Sequence, residues 1–354
     1  MNHIYRNFIR PILFKLNPED AHDIACRCLS LTEKSNFSRK LIQSFTYNKP
    51  SVVNVFGLSF PNQLGLAAGM DKNARFPKTS ASLGFGHVEI GTVTPKNQSG
   101  NTKPRLFRYP KYNALVNRMG FNNDGVDVII KRINKSYPKG NRTVPLGINI
   151  GKSKQTDIIN AHDDYIYCLK KSHSEADYIT INISSPNTKN LRELHRDSYI
   201  KPLLKNLVSV NLELAKQNKS SPVPLLLKIS PDENFKTIEN IVCQAKELGF
   251  SGVIAANTST ERLHNKSFES FEPGGLSGKP LADKSNNLIK FISKVTNYNF
   301  PIVGVGGIDS PDAAIKKLDS GATLLQIYTP LVYEGPFFPS KLIHSLKHRK
   351  KKWI

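Results

Sequence analysis

Eight short apolar runs alternate with more polar stretches from residue 64 onward, and this alternation limits the possible folds more than any other feature. The runs span 64–70, 87–93, 145–151, 178–184, 224–230, 252–258, 301–307 and 324–330. Most are apolar along nearly their whole length, as strands buried on both faces of a parallel sheet are. We therefore predict an α/β fold, a TIM (β/α)8 barrel, with the active site at the polar strand ends.

The connections between these runs carry signals of their own. Ser310 suits an N-cap, Pro311 a first helical position and Asp312 a helix N-terminus, so a helix is predicted to about Leu318. The stretch 94–144 is longer than an ordinary connection and contains many Pro, Gly and Asn residues. We interpret it as an elaborated loop that covers the substrate.

The first 49 residues form a different kind of segment. Ile4, Phe8 and Ile12 recur at helical spacing, and Asn17 can cap a second helix. The predicted apolar stripe of that second helix consists of Ala21, Ile24, Ala25, Cys28 and Leu29. We expect a small N-terminal helical extension at 1–49 and a catalytic barrel domain at 50–354. The pattern alone favours a cap packed on the barrel over a membrane-docking device.

The chain is strongly basic, with 50 Lys and Arg residues against 28 Asp and Glu, a formal net charge of +22. A positive field attracts anionic substrates, nucleic acids and anionic lipids alike. The basic tail at 347–352 lacks the interleaved aromatic residues of a single-strand binding surface, so no nucleic-acid partner is expected. A basic nucleic-acid-binding protein remains the alternative from another functional class.

The four cysteines form no C-x-x-C pair and have no histidine at zinc-ligand spacing. Neither a disulfide framework nor a metal site is therefore expected. No apolar run approaches the roughly 20 residues that a membrane-spanning helix needs. The sequence predicts a protein that is soluble or bound only to a membrane surface.

Polar side chains cluster where several predicted strands end. Ala-Ala-Gly-Met-Asp-Lys stands at 67–72 and Ile-Asn-Ile-Ser-Ser-Pro-Asn at 181–187, with further amides at 117–123, 149 and 257. A turn or tight packing explains each motif equally well when it is taken alone. Amides that converge on one barrel mouth from four segments favour a site for a planar, amide-bearing ligand.

Lys228 interrupts an otherwise apolar run. A buried ammonium group is costly unless a negative charge lies nearby. That charge belongs either to an anionic ligand or to a carboxylate inside the barrel, and we favour the ligand.

Gly-Val-Gly-Gly at 304–307 follows the seventh run. Barrel enzymes often bind phosphate at this place through backbone N–H groups. The dinucleotide fingerprint G-x-G-x-x-G is absent from this sequence segment, so a mononucleotide such as FMN is preferred to NAD.

The motifs at 65–72, 89–95, 117–123, 147–152, 182–187, 274–278 and 305–310 together resemble those of one family, the class 2 dihydroorotate dehydrogenases. The resemblance extends from Asn17 to Tyr328. It implies a membrane-associated oxidoreductase of pyrimidine biosynthesis that converts (S)-dihydroorotate to orotate. FMN would accept the hydride, and a membrane quinone would be the final electron acceptor.

The family match implies binding roles for individual residues. FMN would contact Ala68, Gly69, Lys72, Thr92, Asn149, Asn182, Lys228 and Ala256. The FMN phosphate would lie against Gly278, Gly307, Tyr328 and Thr329. Dihydroorotate would contact Lys72, Asn117, Arg118, Met119, Gly120, Phe121, Asn182, Asn187, Asn257 and Thr258.

The match also implies a catalytic set. Ser185 would be the base that takes a proton from C5 of dihydroorotate while C6 gives a hydride to flavin N5. Thr188 and Phe121 would shape the water route that this proton follows. The quinone end would be lined by His22, Arg108 and Tyr328.

Two residues depart from the family pattern. Ala256 stands where relatives usually carry Thr, and Pro330 replaces the usual Gly after the phosphate-binding pair. A lost hydroxyl and a lost backbone donor are expected to weaken FMN binding before catalysis.

The resemblance further implies a monomer bound peripherally to the anionic cytoplasmic face of the inner membrane. Within the same fold, the alternative is a soluble class 1 enzyme that uses fumarate or an NAD-linked partner. Those enzymes place Cys where this chain has Ser185, so this residue and the helical extension argue for class 2.

Overall fold

The computed structural model describes residues 2–188, 190–261 and 271–347; the basic tail beyond Lys347 lies outside them. Within these residues, eight parallel strands close into a barrel, which confirms the predicted fold. The barrel strands are β3 (Leu64–Leu66), β4 (His87–Val93), β7 (Leu146–Ile150), β8 (Tyr178–Asn182), β9 (Leu225–Lys228), β10 (Gly252–Ala255), β12 (Ile302–Val305) and β13 (Leu324–Ile327). They pair in chain order, and β13 pairs with β3 to close the ring.

Each predicted run contains a strand, but most strands end before the run does. The last residues of these runs leave the ladder and enter the mouth of the barrel. The prediction was wrong at the end of the eighth run, where Thr329–Glu334 is a helix with Pro330 in its first turn. Pro330 therefore costs no hydrogen bond within this helix, and its expected effect on FMN binding stays a prediction.

Helices precede and surround the barrel. The N-terminal helices are α1 (Asn2–Ile4, the π-helical turn Tyr5–Ile9 and Arg10–Leu13), α2 (Pro18–Lys34) and α3 (Asn36–Thr46). The later helices are α4 (Pro77–Ser82), α5 (Val126–Ser136), α6 (Ala161–Ser172), α7 (Asp197–Gln217), α8 (Phe235–Glu247), α9 (Ala282–Val295), α10 (Pro311–Asp319), α11 (Thr329–Glu334) and α12 (Phe338–Lys347). Helix α10 is capped by Ser310, whose hydroxyl accepts the backbone N–H of Ala313, as predicted.

The stretch 94–144 is more ordered than the predicted loop. Its strands β5 (Leu106–Tyr109) and β6 (Ala114–Asn117) form an antiparallel sheet with β11 (Gly275–Gly278). Its second half contains α5, which packs against α6 on the outside of the barrel. The prediction of a single loop was therefore wrong, because the helical pattern of 126–136 was not separated from the mouth segment before it.

The amino-terminal end of the barrel is closed. A hairpin of β1 (Val53–Val55) and β2 (Leu58–Phe60) packs there against a separate apolar cluster. That cluster comprises Phe60, Tyr178, Leu226, Ile254, Val303 and Leu324. Since this end is plugged by side chains, a ligand must enter from the carboxyl ends of the strands.

The N-terminal helices are joined to the barrel by two buried carboxylates. Glu19 accepts hydrogen bonds from the Arg105 guanidinium, with a shortest distance of 2.8 Å. Glu33 accepts the backbone N–H groups of Lys78 at 3.1 Å and Thr79 at 2.7 Å, and so caps α4. Both contacts are between α2 and segments of the barrel domain, so α2 is the helix that anchors the extension.

The predicted stripe on α2 is partly wrong. Ala21 is buried and Leu29 packs partly buried against the core, but Ile24, Ala25 and Cys28 are exposed. The inward face carries the two anchoring glutamates, so a search for apolar spacing alone selects the wrong side of the helix.

Helices α1 and α3 each leave an apolar stripe in solvent. The α1 stripe consists of Ile4, Phe8 and Ile12, which are 55%, 65% and 66% exposed. The α3 stripe consists of Phe37, Leu41 and Phe45, which are 77%, 50% and 59% exposed. The barrel domain leaves these two faces uncovered, although α1 still contacts it through Tyr5 and Arg10. Within the described ranges, every helix is too short or too polar to cross a bilayer.

Candidate active site

A deep pocket opens at the carboxyl ends of the barrel strands and is roofed by the β5–β6–β11 sheet. It brings together most of the residues that sequence analysis selected. Those lining it are Ala68, Gly69, Lys72, Thr92, Asn117, Met119, Gly120, Phe121, Asn182, Ser185, Asn187, Lys228, Ala256, Asn257, Thr258, Gly278, Gly307, Tyr328 and Thr329. Ser185 thus lies in the same pocket as both buried lysines, which is the arrangement on which the sequence-based assignment depended.

Three residues that were selected for cofactor, substrate or catalytic roles are not among those that line this pocket in the described structure. Arg118 turns outward, pairs with Glu272 at 3.0 Å and covers the ring of Phe107. Asn149 is fully buried behind the pocket wall. Thr188 is buried as well, and its hydroxyl has no hydrogen-bond partner among the described residues.

The two residues selected only for a quinone site lie farther from the pocket. The His22 ring stacks on pocket-lining Tyr328, with ring centroids 6.3 Å apart. Arg108 donates hydrogen bonds to the carbonyl oxygens of Leu13 and Leu16 at the end of α1. These two positions therefore connect the pocket region to α1 and α2.

The amides at the pocket wall form one hydrogen-bonded chain and one separate pair. Asn182 Nδ2 donates to Thr92 Oγ1 at 3.0 Å, and Thr92 Oγ1 donates to Asn149 Oδ1 at 2.6 Å. Asn257 Nδ2 donates to Asn182 Oδ1 at 3.3 Å. On the opposite wall, Asn187 Nδ2 donates to Asn117 Oδ1 at 3.2 Å. Residues from β4, β7, β8 and the end of β10 are therefore linked in one hydrogen-bonded chain.

Both pocket lysines are desolvated. Burial lowers the pKa of Lys72, whose Nζ donates to the carbonyl oxygen of Gly69 at 2.8 Å. Burial also lowers the pKa of Lys228, and the charge of Glu89 acts in the opposite direction. Neither lysine forms a salt bridge within the described part of the chain. Two cations without a close anion are suited to a ligand that carries or develops negative charge.

Ser185 is 6% exposed at the pocket wall, where its hydroxyl oxygen accepts the backbone N–H of Asn187 at 3.3 Å. Phe121 also lines the pocket and has a φ of 54°, which is uncommon for a bulky side chain. Such backbone strain is concentrated at functional sites in proteins.

Glycines at the far end of the pocket let backbones meet closely. A Cβ atom at Gly307 would lie 2.3 Å from the Cα of Ala282, and one at Gly278 would lie 2.2 Å from the carbonyl oxygen of Asn113. Both have positive φ, so only glycine fits without strain. The hydroxyls of Ser277 and Thr329 lie 2.9 Å apart beside them. A small anion that needs backbone donors fits this end better than a bulky apolar group.

Sequence analysis missed Glu89, which is fully buried inside the barrel below the pocket. Its carboxylate accepts hydrogen bonds from four side chains: Asn149, Tyr178, Thr180 and Gln326. The signal was available, because Glu89 interrupts an apolar strand in the same way as Lys228 does. No cluster of His, Cys, Asp or Glu that could hold a metal ion occurs among the described residues.

Comparison with known proteins agrees with this geometry. The family model for dihydroorotate dehydrogenase matches residues 51–349. A protein of Idiomarina loihiensis named dihydroorotate dehydrogenase (quinone) is 46% identical over 340 residues, which cover 96% of this chain and 99% of the relative. A protein of Acinetobacter baylyi with the same name is 46% identical over 92% of this chain and 95% of the relative.

Solved structures give the same result. The DHODH of Eimeria tenella, crystallised in complex with ferulenol, superposes with a TM-score of 0.80 at 34% identity over 95% of this chain and 93% of that one. Its ligand-free form superposes with a TM-score of 0.77 over 88% of this chain and 93% of that one. Family model, relatives and fold agree over nearly the whole chain, and the chain therefore belongs to the dihydroorotate dehydrogenase family.

Proposed function

We propose that this chain oxidises dihydroorotate to orotate with bound FMN and passes the electrons to a membrane quinone, as a step of pyrimidine biosynthesis. The single observation that carries the proposal is the shared pocket of Ser185, Lys72 and Lys228, walled by converging amides. The names of the relatives in Idiomarina and Acinetobacter support the quinone as electron acceptor.

The pocket fits FMN on two physical grounds. At one end, glycines at 278, 306 and 307 line the pocket beside the hydroxyls of Ser277 and Thr329, and these small and hydroxyl-bearing residues suit the phosphate. Its central wall offers amides, Thr92 and the buried ammonium of Lys228, which suit a polar, electron-accepting ring. We assign FMN contacts to Ala68, Gly69, Lys72, Thr92, Asn182, Lys228, Ala256, Gly278, Gly307, Tyr328 and Thr329, and treat Asn149 as support from behind the wall.

The substrate would lie between the amide walls. Asn117, Asn187 and Asn257 can each present both a donor and an acceptor to the amide edges of dihydroorotate. The remaining assigned contacts are Lys72, Met119, Gly120, Phe121, Asn182 and Thr258. We no longer assign one to Arg118, since its guanidinium pairs with Glu272 instead.

FMN, when bound, would accept the hydride from C6 of dihydroorotate. Ser185 would take the proton from C5, and the two buried lysines would stabilise the negative charge that develops on the ring system. A serine hydroxyl is a weak base, so its proton needs a route to solvent. We assign that route to water held near the unpartnered Thr188 hydroxyl and the strained Phe121.

We propose that residues 1–49 serve the quinone and the membrane, while residues 50–354 form the catalytic domain. Two exposed apolar stripes and the exposed basic residues Arg27, Lys34 and Lys40 are typical of a surface that binds anionic lipid. The quinone would approach between these helices toward Tyr328, with His22 and Arg108 along its path. The protein would act as a monomer at the cytoplasmic face of the inner membrane.

Anaerobic half-reactions test the proposed function. We expect dihydroorotate to bleach the flavin absorbance of the purified protein and a short-chain quinone to restore it. Ser185→Ala should slow the bleaching by about 10²-fold or more while leaving reoxidation intact. A flavin that dihydroorotate does not bleach would contradict the proposed activity, and bleaching unaffected by Ser185→Ala would remove this residue from the mechanism.

A further inference from the structure

The pocket amides connect to a carboxylate that never reaches the pocket surface. Glu89 lies within β4, is fully buried, and is not among the residues that line the pocket in the described structure. Its Oε1 accepts Asn149 Nδ2 at 2.8 Å. Its Oε2 accepts Gln326 Nε2 at 2.8 Å and the hydroxyls of Tyr178 and Thr180 at 3.2 Å each. An ionised carboxylate offers about four acceptor positions and no donor, so these four donors match it fully.

This carboxylate fixes the orientation of the next amide. Because Glu89 can only accept, Asn149 must present Nδ2 to it and Oδ1 to Thr92. The Thr92 hydroxyl has one hydrogen, which it gives to Asn149, so it can only accept from its other neighbour.

The same donor and acceptor constraint applies to the next residues of the chain, which line the pocket. Asn182 must present Nδ2 to Thr92, which leaves its Oδ1 for Asn257 Nδ2. Thr92, Asn182 and Asn257 all line the pocket. Backbone N–H groups of Ser184 and Thr258 also donate to Asn182 Oδ1 and Asn257 Oδ1, so Glu89 itself decides the orientation of Asn149 and of the Thr92 hydroxyl.

We propose that Glu89 is a positioning residue, which orients Asn149 and the Thr92 hydroxyl so that they match the orientations of Asn182 and Asn257, and thereby presents this wall correctly to flavin and substrate. This inference rests on the proposed function. It adds a residue that lies behind the pocket wall and acts through Asn149 and Thr92.

Glu89→Gln tests the proposed direction of the hydrogen bonds, because it exchanges an acceptor for a donor and keeps the shape of the side chain. The carbonyl oxygen of the new glutamine can still accept from Tyr178, Thr180 and Gln326, but its NH₂ group then faces Asn149. The Asn149 amide must turn over, Thr92 then receives two donors, and its own hydrogen must point elsewhere. We expect a changed visible absorption spectrum of bound flavin, weaker FMN binding and at least tenfold slower flavin reduction at saturating dihydroorotate.

Tyr178→Phe is the matched control, because it removes one donor from Oε2 and leaves the chain on Oε1 intact. We expect a wild-type flavin spectrum and a reduction rate within twofold of wild type. If both variants change the spectrum and the rate equally, Glu89 acts only through packing and the inference is overturned.

Glu89→Gln also removes a negative charge that acts on Lys228. A double-mutant cycle separates this loss of charge from the change in hydrogen-bond direction. Thr92→Val cuts the chain beyond Asn149. If Glu89 acts through the chain, adding Glu89→Gln to Thr92→Val slows flavin reduction by less than a further twofold. A repeated tenfold loss would show that Glu89 acts outside the chain and would overturn the proposal.

A second variant tests the same proposal if Glu89→Gln folds poorly. Asn149→Leu cuts the first link and keeps the carboxylate, so it should reproduce the spectral change and the slow reduction. A wild-type spectrum and rate in that variant would overturn the inference. Wild-type protein that dihydroorotate fails to reduce would contradict the proposed function itself, so the two failures are distinguishable.

Discussion

The barrel mouth and the N-terminal extension differ in which side chains they enclose and which they expose. At the mouth, amides, hydroxyls and two ammonium groups line one pocket, and Asn182, Ser185 and Lys228 among them are buried. In the extension, carboxylates are buried where α2 meets the barrel, while apolar side chains of α1 and α3 stay in solvent. Each region leaves one kind of group without a partner among the described residues: ammonium groups without a salt bridge at the mouth, and exposed apolar side chains in the extension.

The largest effect is expected at the mouth. Lys228→Met keeps the side-chain length but removes a buried cation that has no salt bridge in the described structure. We expect flavin reduction by dihydroorotate to slow by about 10²- to 10³-fold, because the developing negative charge loses its counter-charge. Thermal stability should stay constant or rise slightly, because an unpaired buried charge costs free energy. Stopped-flow absorbance and thermal unfolding measure both quantities; a large drop in stability would mean that this lysine is structural.

A substitution at the anchor of the extension should have the opposite effect: it should lower stability and leave the rate of flavin reduction nearly unchanged. Burial alone would raise the pKa of Glu19, but Arg105 and Lys103 hold it below its usual value. Arg105→Met leaves that carboxylate buried with only one exposed partner. We expect a loss of about 3 kcal/mol in the stability of the docked extension. Limited proteolysis within 1–49 and thermal unfolding would detect it, while flavin reduction in the barrel should change little.

Lys103→Met is the matched control for that prediction. Lys103 contacts the same carboxylate at 3.3 Å, but its side chain is 57% exposed. Exposed ion pairs contribute about 0–1 kcal/mol, so this variant should resemble wild type. Equal losses from both substitutions would show that the buried position of Arg105 has no special importance.

A smaller effect is expected for the exposed stripes. Phe37 is 77% exposed on α3, and Phe37→Ser should weaken binding to vesicles that contain anionic lipid by about tenfold, since buried apolar area is lost. Tyr298→Asn is the control, because Tyr298 is 73% exposed on the barrel and its positive φ suits Asn. Vesicle co-sedimentation should respond only to the first substitution. Equal effects would contradict a specific role for the extension.

The sequence predicted the barrel strands and the residues at their ends well. Strand positions follow from continuous apolar runs, and strands of a parallel barrel deliver their ends to one mouth, so Lys72, Ser185 and Lys228 were expected to meet. Local signals also sufficed for the Ser310 cap, since its partner is three residues away.

Other features depend on partners far away in the chain, and these were missed or placed wrongly. Arg118 lies next to predicted ligand contacts but pairs with Glu272, 154 positions later. The buried face of α2 is set by Arg105 and the start of α4, not by apolar spacing. The role of Glu89 appears only when β4, β7, β8 and β13 come together in space. Long-range polar pairs leave no periodic pattern in a sequence.

Acid should act on both regions through two desolvated histidines, His22 and His87. Burial, and in the extension also the charge of Lys72, lowers the pKa of His22 to about 3, and burial lowers that of His87 in the barrel to about 3. Between pH 6.5 and about 3, these histidines bind a proton in the unfolded state but stay neutral in the folded state. Stability from this source is therefore complete above pH 6.5 and declines as the pH falls, by at most about 1.4 kcal/mol per pH unit for each histidine.

His22→Gln should flatten the decline of unfolding temperature between pH 6.5 and pH 4 and reduce acid-induced proteolysis within 1–49. His3→Gln is the control, because His3 is exposed on α1 and should leave the acid slope unchanged. If His22→Gln retains the full acid slope and proteolysis within 1–49 still rises, His22 is not the acid-sensitive group. The Glu19 carboxylate, whose pKa is lowered by Arg105 and Lys103, would then be the next group to test in the extension.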